Sequence, residues 1–361
     1  MIKISKIIFI NILVFILSLI LIEMIFGGWF SKDSFGAYFR EHRMKRVNYS
    51  IKYDEEIYKY TYLRNYHGFK GEEIEPSQIE AVFIGGSTAD ERWKPEKFSI
   101  VELLNSKFKK DNLEFKIINS AIEGQSTTGY IANFKFWYKS IPNFKPKYFI
   151  FYTGINELLK QNYDTFDYSD GMAKLVAKNA KERRYDELKS KSFFYDSARK
   201  IKHKYYSRDK IHFMDLDKSI QNRKNNKSSS LELFNNKINS YVKFNSKFAI
   251  NKLQESINDE KKFIKSYIKN IDILKSHVDD YSAKAIFINQ VTAYGANVKR
   301  HLALNKALND HCKKNNYICI DIASNFNGEF EFWYDEVHTT PLGSKKISEV
   351  IYPKLKKIVN R

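Results

Sequence analysis

Five short apolar segments, each separated from the next by a longer stretch, constrain the fold of this 361-residue chain more than any other feature. Several of the stretches carry apolar residues at helical spacing, as at Ile100, Leu104 and Phe108. Alternating strands and helices are typical of a mainly parallel sheet that helices cover on both faces. We therefore predict an α/β domain. The five strand-like segments are residues 80–84, 116–119, 147–152, 284–291 and 317–322.

The N-terminus contains an apolar run long enough to cross a membrane. Residues 7–22 are interrupted only by Asn11 and Ser18, and the apolar character continues to Phe26. A helix of this length spans about 30 Å of hydrocarbon. A cleaved signal peptide is the alternative, but its apolar core is shorter and a small-residue cleavage site follows it. Because this chain has no such site, we predict that residues 1–30 form an uncleaved single-pass signal anchor.

Charge sets the predicted orientation and the predicted partners. Lys3 and Lys6 precede the apolar run and favour a cytoplasmic N-terminus, although basic residues also follow the run at positions 40, 43, 45 and 46. We predict a protein of the bacterial cell (inner) membrane with its body on the periplasmic or extracellular side. The formal charge of +19 invites a nucleic-acid interpretation. The basic residues are mostly lysines spread along the chain, so we predict no nucleic-acid partner.

The remaining sequence divides into three parts. Residues 31–75 are polar and aromatic without clear periodicity, which predicts a connecting segment. Residues 76–361 form the predicted main domain, interrupted at about 158–262 by a stretch without a good strand. Because so long a structureless loop is uncommon, this stretch is predicted to be a helical insertion, either a solvated decoration or a lid or platform for substrate. Cys312 and Cys319 are the only cysteines. They could pair if both faced the same side, but we interpret both as small core residues.

Polar residues with catalytic potential follow the predicted strands. Ser87 ends a Gly-Gly-Ser turn after the first strand, Gly124 follows the second and Asn156 follows the third. Near the C-terminus, Asp335 precedes His338 by three residues, a spacing that lets a carboxylate orient the imidazole. Each feature has an ordinary alternative, since Gly-Gly-Ser is a common turn and Asn156 suits a helix N-cap. Their order along one sheet edge favours a nucleophile, a base and oxyanion donors.

This order of residues resembles the four sequence blocks of the SGNH, or GDSL-like, hydrolases, over roughly residues 80–361 apart from the insertion. The resemblance implies a flavodoxin-like three-layer α/β/α sandwich with a five-stranded parallel sheet. It also implies a role for each residue. Ser87 is the nucleophile, His338 the base and Asp335 its orienting partner. The N–H groups of Ser87 and Gly124 and the side chain of Asn156 form the oxyanion hole.

Two positions depart from the family pattern. Gly86 stands where the first block usually has Asp, and Glu157 stands where Asp usually follows the asparagine of the third block. Neither change removes a catalytic group, but Gly86 is expected to loosen hydrogen bonding around the turn. No metal or cofactor is predicted, because the eight histidines show no ligand spacing and no glycine-rich phosphate loop is present.

The resemblance implies acyl-ester chemistry. Membrane-tethered members often remove or transfer acetyl groups on envelope polysaccharides, so we expect an O-acetyl ester of such a glycan as substrate, and proteins of envelope-glycan biosynthesis as partners. Trp333 and Tyr334 would either stack on a sugar or lie in the core. The alternatives are an O-acetyltransferase with the same triad, a lipid esterase, or a non-catalytic glycan-binding assembly protein. The insertion contains no continuous amphipathic helix strong enough to favour the lipid ester.

Overall fold

A computed structural model describes residues 2–30, 42–159, 191–205, 211–225, 261–292, 298–323 and 330–360, together with a few isolated positions between 185 and 258. The strands are β1 (Lys45–Tyr53), β2 (Glu56–Arg64), β3 (Ala81–Ile84), β4 (Ile117–Asn119), β5 (Tyr148–Thr153), β6 (His212–Asp215), β7 (Lys284–Asn289) and β8 (Ile318–Ile320). The α-helices are α1 (Ile2–Phe26), α2 (Ser87–Asp90), α3 (Ile100–Lys110), α4 (Thr127–Phe136), α5 (Phe193–Tyr205), α6 (Leu216–Asn225), α7 (Lys261–Asp280), α8 (Val298–Asn315) and α9 (Pro341–Val359).

The central sheet confirms the predicted fold class. Its five strands are parallel and lie in the order β4-β3-β5-β7-β8. Numbered along the chain, this is the order 2-1-3-4-5 of flavodoxin-like doubly wound sheets, which bind ligands at the carboxyl ends of their strands. Strands β3 and β5 are buried along their whole length, as parallel strands covered on both faces must be.

Helices cover the sheet on both faces, giving three layers. Side chains alternate along β3, so that Val82 and Ile84 point to one face and Phe83 to the other. Helices α4, α7 and α8 pack on the first face, and α3 and α9 pack on the second. The sandwich that the family resemblance implies is therefore present.

A second, three-stranded sheet corrects two sequence interpretations. Strands β1 and β2 form an antiparallel hairpin inside the predicted connecting segment, and β6 pairs parallel with β1 from inside the insertion. Asp54 and Glu55 form the hairpin turn with positive φ angles of 54° and 59°. Such a turn usually carries Asn-Gly or Asp-Gly, so the hairpin left no strong signal in the sequence. The insertion is thus not wholly helical.

The two cysteines form a disulfide, the alternative that the sequence left open, and Cys312 is also the buried core residue that was predicted. Cys312 lies in the last turns of α8 and Cys319 lies in β8, with 6.2 Å between their Cα atoms. A short turn returns the chain from this helix to the neighbouring strand, and this return brings the two side chains face to face.

Helix α1 retains the character expected of a membrane anchor. Residues Ile4–Phe26 have a mean hydropathy of 2.8, and none of this segment is buried against the rest of the protein. The helix is long and apolar enough to cross a membrane by length and composition. Its C-terminal end contacts α5, which belongs to the insertion.

Candidate active site

The nucleophile turn joins β3 to the short helix α2, whose first residue is Ser87. Close contacts explain why both positions of this turn are glycine. Backbone conformation does not explain it at Gly86, because its extended φ of −93° is open to any residue. A Cβ on Gly85 would lie 2.4 Å from the Cβ of Ala89, and a Cβ on Gly86 would lie 2.0 Å from Nδ2 of Asn156. Ser87 occupies the first position of a helix, where backbone N–H groups have no acceptor within the helix. Its N–H is therefore suited to receive an oxyanion.

Ser87, His338 and Asp335 are hydrogen-bonded in series. The Oγ of Ser87 lies 2.8 Å from Nε2 of His338, although 251 positions separate the two residues in the chain. On the other side of the ring, Nδ1 of His338 lies 2.7 Å from Oδ2 of Asp335. The structure thus brings together the three predicted catalytic residues in the geometry of a nucleophile, a base and an orienting acid.

The carboxylate of Asp335 is held in its ionised form. Its Oδ1 accepts hydrogen bonds from the N–H groups of Val337, at 2.9 Å, and of His338, at 2.7 Å. Burial acts to raise the pKa of Asp335, but the hydrogen bonds and charge of His338 outweigh burial and lower the pKa below its usual value. An ionised carboxylate here fixes the imidazole tautomer that leaves Nε2 free to accept a proton from Ser87.

The predicted oxyanion donors lie beside the nucleophile turn. Nδ2 of Asn156 donates a 2.6 Å hydrogen bond to the backbone oxygen of Gln125, the residue that follows Gly124. The contact with Gly86 places the same amide against the nucleophile turn. Gly124 has a φ of +79°, which favours glycine at this position. Asn156 is therefore fixed between two loops, with a second N–H available on its amide nitrogen.

Both departures from the family pattern have a structural account. Gly86 was expected to loosen the turn, but it provides the space into which the amide of Asn156 fits. Glu157 is fully buried, and its Oε1 accepts a 2.6 Å hydrogen bond from the N–H of Thr127, the first residue of α4. A carboxylate at a helix N-terminus is electrostatically favourable. Glu157 thus secures the loop that carries Gly124.

Gln290, which was not predicted from the sequence, connects two of the loops at this sheet edge. Its buried Nε2 donates a 2.8 Å hydrogen bond to Oγ1 of Thr88, next to the nucleophile. Its Oε1 accepts a 2.6 Å hydrogen bond from the N–H of Ile155, next to Asn156. The two ends of one amide therefore connect the nucleophile turn to an oxyanion donor. The signal was present, since Gln290 directly follows β7 at the same sheet edge.

A buried ion pair connects the nucleophile turn to the histidine loop. Nζ of Lys94 lies 2.5 Å from Oε1 of Glu91, and both side chains are almost inaccessible. The same Nζ donates a 2.7 Å hydrogen bond to the backbone oxygen of Thr339, the residue after His338. Burial lowers the pKa of Lys94, and the charge of Glu91 acts in the opposite direction. The sequence offered no signal for the contact with the histidine loop, because Lys94 and Thr339 are distant in the chain.

The hairpin supports the last residue of α2. Asp90 is buried, and its Oδ1 accepts a 2.7 Å hydrogen bond from the hydroxyl of Tyr62 and a 3.3 Å one from Arg64. Arg92 lies 3.3 Å from the other carboxylate oxygen. Burial acts to raise the pKa of Asp90, but the two guanidinium groups outweigh it and lower the pKa. Strand β2 thereby fixes the helix that begins with Ser87.

Trp333 and Tyr334 lie in the interior rather than on a surface that a sugar could reach. Trp333 is 1% exposed and belongs to the core beneath α9, and Tyr334 is 6% exposed. The ring of Tyr334 stacks on His338 with 5.7 Å between ring centroids. From the insertion, Leu216 packs in the same cluster as Tyr334, and Arg223 donates a 2.7 Å hydrogen bond to the backbone oxygen of Trp333. Helix α6 therefore supports the histidine loop.

Fold and site together define a class of protein, a doubly wound α/β domain whose strand ends carry a hydrogen-bonded serine, histidine and aspartate. Across the described residues, no group of three or more histidine, cysteine or acidic side chains could hold a metal ion. No protein-family model matches the sequence, and no curated protein matches it.

Solved structures with a similar fold come from esterases and lipolytic proteins. The psychrotrophic esterase EstA from Pseudoalteromonas sp. is 11% identical, with a TM-score of 0.43 over 78% of this chain and 100% of that one. A Desulfitobacterium hafniense DCB-2 protein grouped with the G-D-S-L lipolytic family is 10% identical, with a TM-score of 0.40 over 76% and 98%. The acetyl xylan esterase AlAXEase is 11% identical, with a TM-score of 0.39 over 76% and 98%. The fold class rests on the strand order given above, and the chemistry rests on the geometry of the site.

Proposed function

We propose that this protein is a serine ester hydrolase that works through an acyl-enzyme. The observation that carries the proposal is the continuous hydrogen-bonded series from Asp335 through His338 to Ser87. Oγ of Ser87 attacks the ester carbonyl carbon while its proton passes to Nε2 of His338. The N–H groups of Ser87 and Gly124 and the amide of Asn156 stabilise the resulting oxyanion.

The second half of the cycle uses the same groups. His338 returns the proton to the departing alkoxide as the ester C–O bond breaks, which leaves the acyl group on Ser87. His338 then takes a proton from water, and the hydroxide attacks the acyl carbon. The acid is released when the bond to Ser87 breaks and the serine recovers its proton. Asp335 stays ionised throughout and stabilises the imidazolium.

The proposed substrate is an O-acetyl ester of an envelope or extracellular polysaccharide. Helix α1 supports a membrane tether, and a disulfide between Cys312 and Cys319 is typical of an oxidising compartment outside the cytoplasm. The net charge of +19 suits an acidic glycan or an anionic membrane surface. The buried positions of Trp333 and Tyr334 give no support for sugar stacking, so the glycan is proposed on location and charge alone.

The central experiment measures short-chain p-nitrophenyl ester hydrolysis by the full chain in detergent micelles. We expect Ser87→Ala to lower kcat at least about 10³-fold, since the oxyanion donors alone cannot replace the nucleophile. Ser106→Ala, on the exposed side of α3, is the matched control and should retain full activity. A fluorophosphonate should label Ser87 in the wild type. Equal turnover by the wild type and Ser87→Ala would disprove the mechanism.

Acetylated oligosaccharides then separate hydrolysis from transfer. Because an O-acetyltransferase shares the acyl-enzyme, it would pass the acetyl group to a sugar hydroxyl faster than to water. Acetylated product in excess of free acetate would therefore favour the transferase. Glycan binding that survives Ser87→Ala, with no esterase activity in the wild type, would favour a non-catalytic assembly protein.

A further inference from the structure

Helix α5 exposes an apolar stripe that no described part of the protein covers. Phe194, Ala198 and Ile201 follow one another at spacings of four and three residues, so they lie on one side of the helix. All three are exposed, Phe194 by 41% and Ile201 by 56%. Ahead of the helix, Tyr185 and Leu188 are also exposed. The insertion was predicted to contain no strong amphipathic helix, and α5 corrects that expectation.

The rest of α5 is strongly basic. Its thirteen residues include four lysines or arginines and one aspartate. Arg199 and Lys200 bind the main body, where Arg199 donates a 3.0 Å hydrogen bond to the backbone oxygen of Arg43 and Lys200 lies 4.8 Å from the ring centre of Tyr66. Lys202 is exposed. An apolar stripe beside lysines is the composition of helices that lie in a membrane–water interface.

The N-terminus of α5 is attached to the C-terminal end of α1. The carboxylate of Glu23 accepts hydrogen bonds from the N–H groups of Phe193, at 3.0 Å, and Phe194, at 3.2 Å. The backbone N–H of Gly28 donates a 2.8 Å hydrogen bond to the backbone oxygen of Lys191, and the rings of Phe26 and Phe193 lie 5.4 Å apart. A helix capped by the last turns of a membrane span begins at the depth where that span leaves the hydrocarbon.

We propose that α5 lies in the interface of the membrane that α1 spans, with its apolar stripe at the boundary between headgroups and acyl chains. The occupant of this surface is an anionic bilayer, because exposed lysines flank the stripe and attract anionic headgroups. The proposal rests on the proposed membrane anchor and does not depend on catalysis. It makes α5 the element that sets the height and orientation of the active site above the membrane, through its contacts with Arg43 and Tyr66.

The test uses the full chain in vesicles of phosphatidylcholine, with and without phosphatidylglycerol. Because both native cysteines are in a disulfide, Ala198→Cys can be labelled selectively with an environment-sensitive fluorophore. Lipids with a nitroxide near the top of the acyl chain should quench this label about twofold or more in the anionic vesicles, and less in pure phosphatidylcholine. The matched control is a label at Lys109→Cys, on the exposed end of α3, which should not be quenched.

Three results would overturn the proposal. The first is a label at residue 198 that is no more quenched than the label at 109. The second is equal quenching in both lipid mixtures, which would remove the role of the lysines. The third concerns the emission of the label, which reports an apolar environment. If that environment is lost when the protein is diluted at constant lipid, a second copy of the chain covers the stripe instead of the bilayer.

Two further measurements separate the interfacial helix from the membrane anchor and from catalysis. A label at Ile16→Cys, in the middle of α1, tests the anchor by itself: quenching there without quenching at 198 refutes the interfacial helix and leaves the anchor intact. Phe194→Ser with Ile201→Ser should abolish quenching at 198 while hydrolysis of a soluble ester stays at the wild-type rate. Loss of both together would contradict the separation of membrane docking from catalysis.

Discussion

Gly86→Ala tests how the close fit of Asn156 against the nucleophile turn contributes to catalysis. The shortest contact of the added methyl group is with Asn156, and a longer one of 2.9 Å is with the backbone oxygen of Gln125. The backbone at Gly86 has a φ that alanine adopts without strain, so the substitution acts only through its added methyl group. That methyl would lie 2.0 Å from Nδ2 of Asn156, and an ordinary contact needs at least 3.4 Å. The amide must therefore move by about 1.4 Å, the difference between these two distances. Such a shift removes it from the position where an oxyanion forms.

The expected loss of kcat equals the loss caused by removing one oxyanion donor. Removing such a donor typically lowers kcat by about 10²–10³-fold, equivalent to roughly 3–4 kcal/mol of transition-state stabilisation. We expect Gly86→Ala and Asn156→Ala each to fall in this range in the p-nitrophenyl ester assay. Gly28→Ala is the matched control, because its new methyl would have its nearest neighbour at 3.7 Å. It should leave kcat unchanged.

The double variant decides whether the reasoning is right. If the methyl group added at position 86 acts mainly by displacing Asn156, most of its effect is gone once that amide is removed, and only its 2.9 Å contact with the backbone oxygen of Gln125 remains. In the Asn156→Ala background, Gly86→Ala should therefore cost less than about tenfold. Independent effects would instead multiply to about 10⁴-fold or more. A multiplicative double variant, or a Gly86→Ala enzyme within threefold of the wild-type kcat, would refute the assigned contact.

Three other predictions concern the acid, the buried charge and the disulfide. Asp335→Asn should lower kcat by about 10³–10⁴-fold because an amide favours the wrong imidazole tautomer; a fall of less than tenfold would contradict this. The pKa of Asp90 is lowered by folding, so its carboxylate stabilises the protein above about pH 4 and loses that contribution as the pH falls through the lowered pKa. Asp90→Asn, which leaves Arg64 buried without its counterion, should therefore cost about 3–5 kcal/mol at pH 7 in urea unfolding and progressively less as the pH falls below about 4; a cost that does not fall at all on acidification would contradict the sign. Replacing Cys312 and Cys319 by alanine should lower the free energy of unfolding by about 2 kcal/mol, and a reductant should destabilise only the wild type.

The central sheet was predictable because its strands are buried on both faces. Such strands appear in the sequence as uninterrupted apolar runs, and all five were located to within two residues at each end. The hairpin was missed because its strands mix tyrosines with charged and polar residues, as in Lys45–Tyr53, and show no clear alternation of apolar and polar positions. Strand β6 was missed because only its pairing with β1 identifies it, and Tyr49 and His212 are far apart in the chain.

The placement of the candidate site residues was predictable where a side chain follows a strand end and unpredictable where it depends on contacts between loops. Ser87 and Asn156 follow β3 and β5, so their residue types alone marked them. Gln290 also follows a strand, but its role appears only when its amide is seen to contact two loops at once. For Lys94 the chain gives no local sign, and for Gly86 it indicates only a turn. The role of a buried cation or of a missing Cβ becomes visible only when the neighbouring side chains are known.

The described helices of the insertion, α5 and α6, contact the N-terminal helix and the loops around the candidate site. Helix α6 packs behind Tyr334, which in turn stacks on His338. Helix α5 is capped by Glu23 at the end of α1 and hydrogen-bonded to Arg43, which precedes the hairpin. That hairpin fixes Asp90 at the end of the nucleophile helix. The segment that interrupts the α/β alternation therefore connects the N-terminal helix to both halves of the catalytic site, and a decoration without structural role would make neither of these contacts.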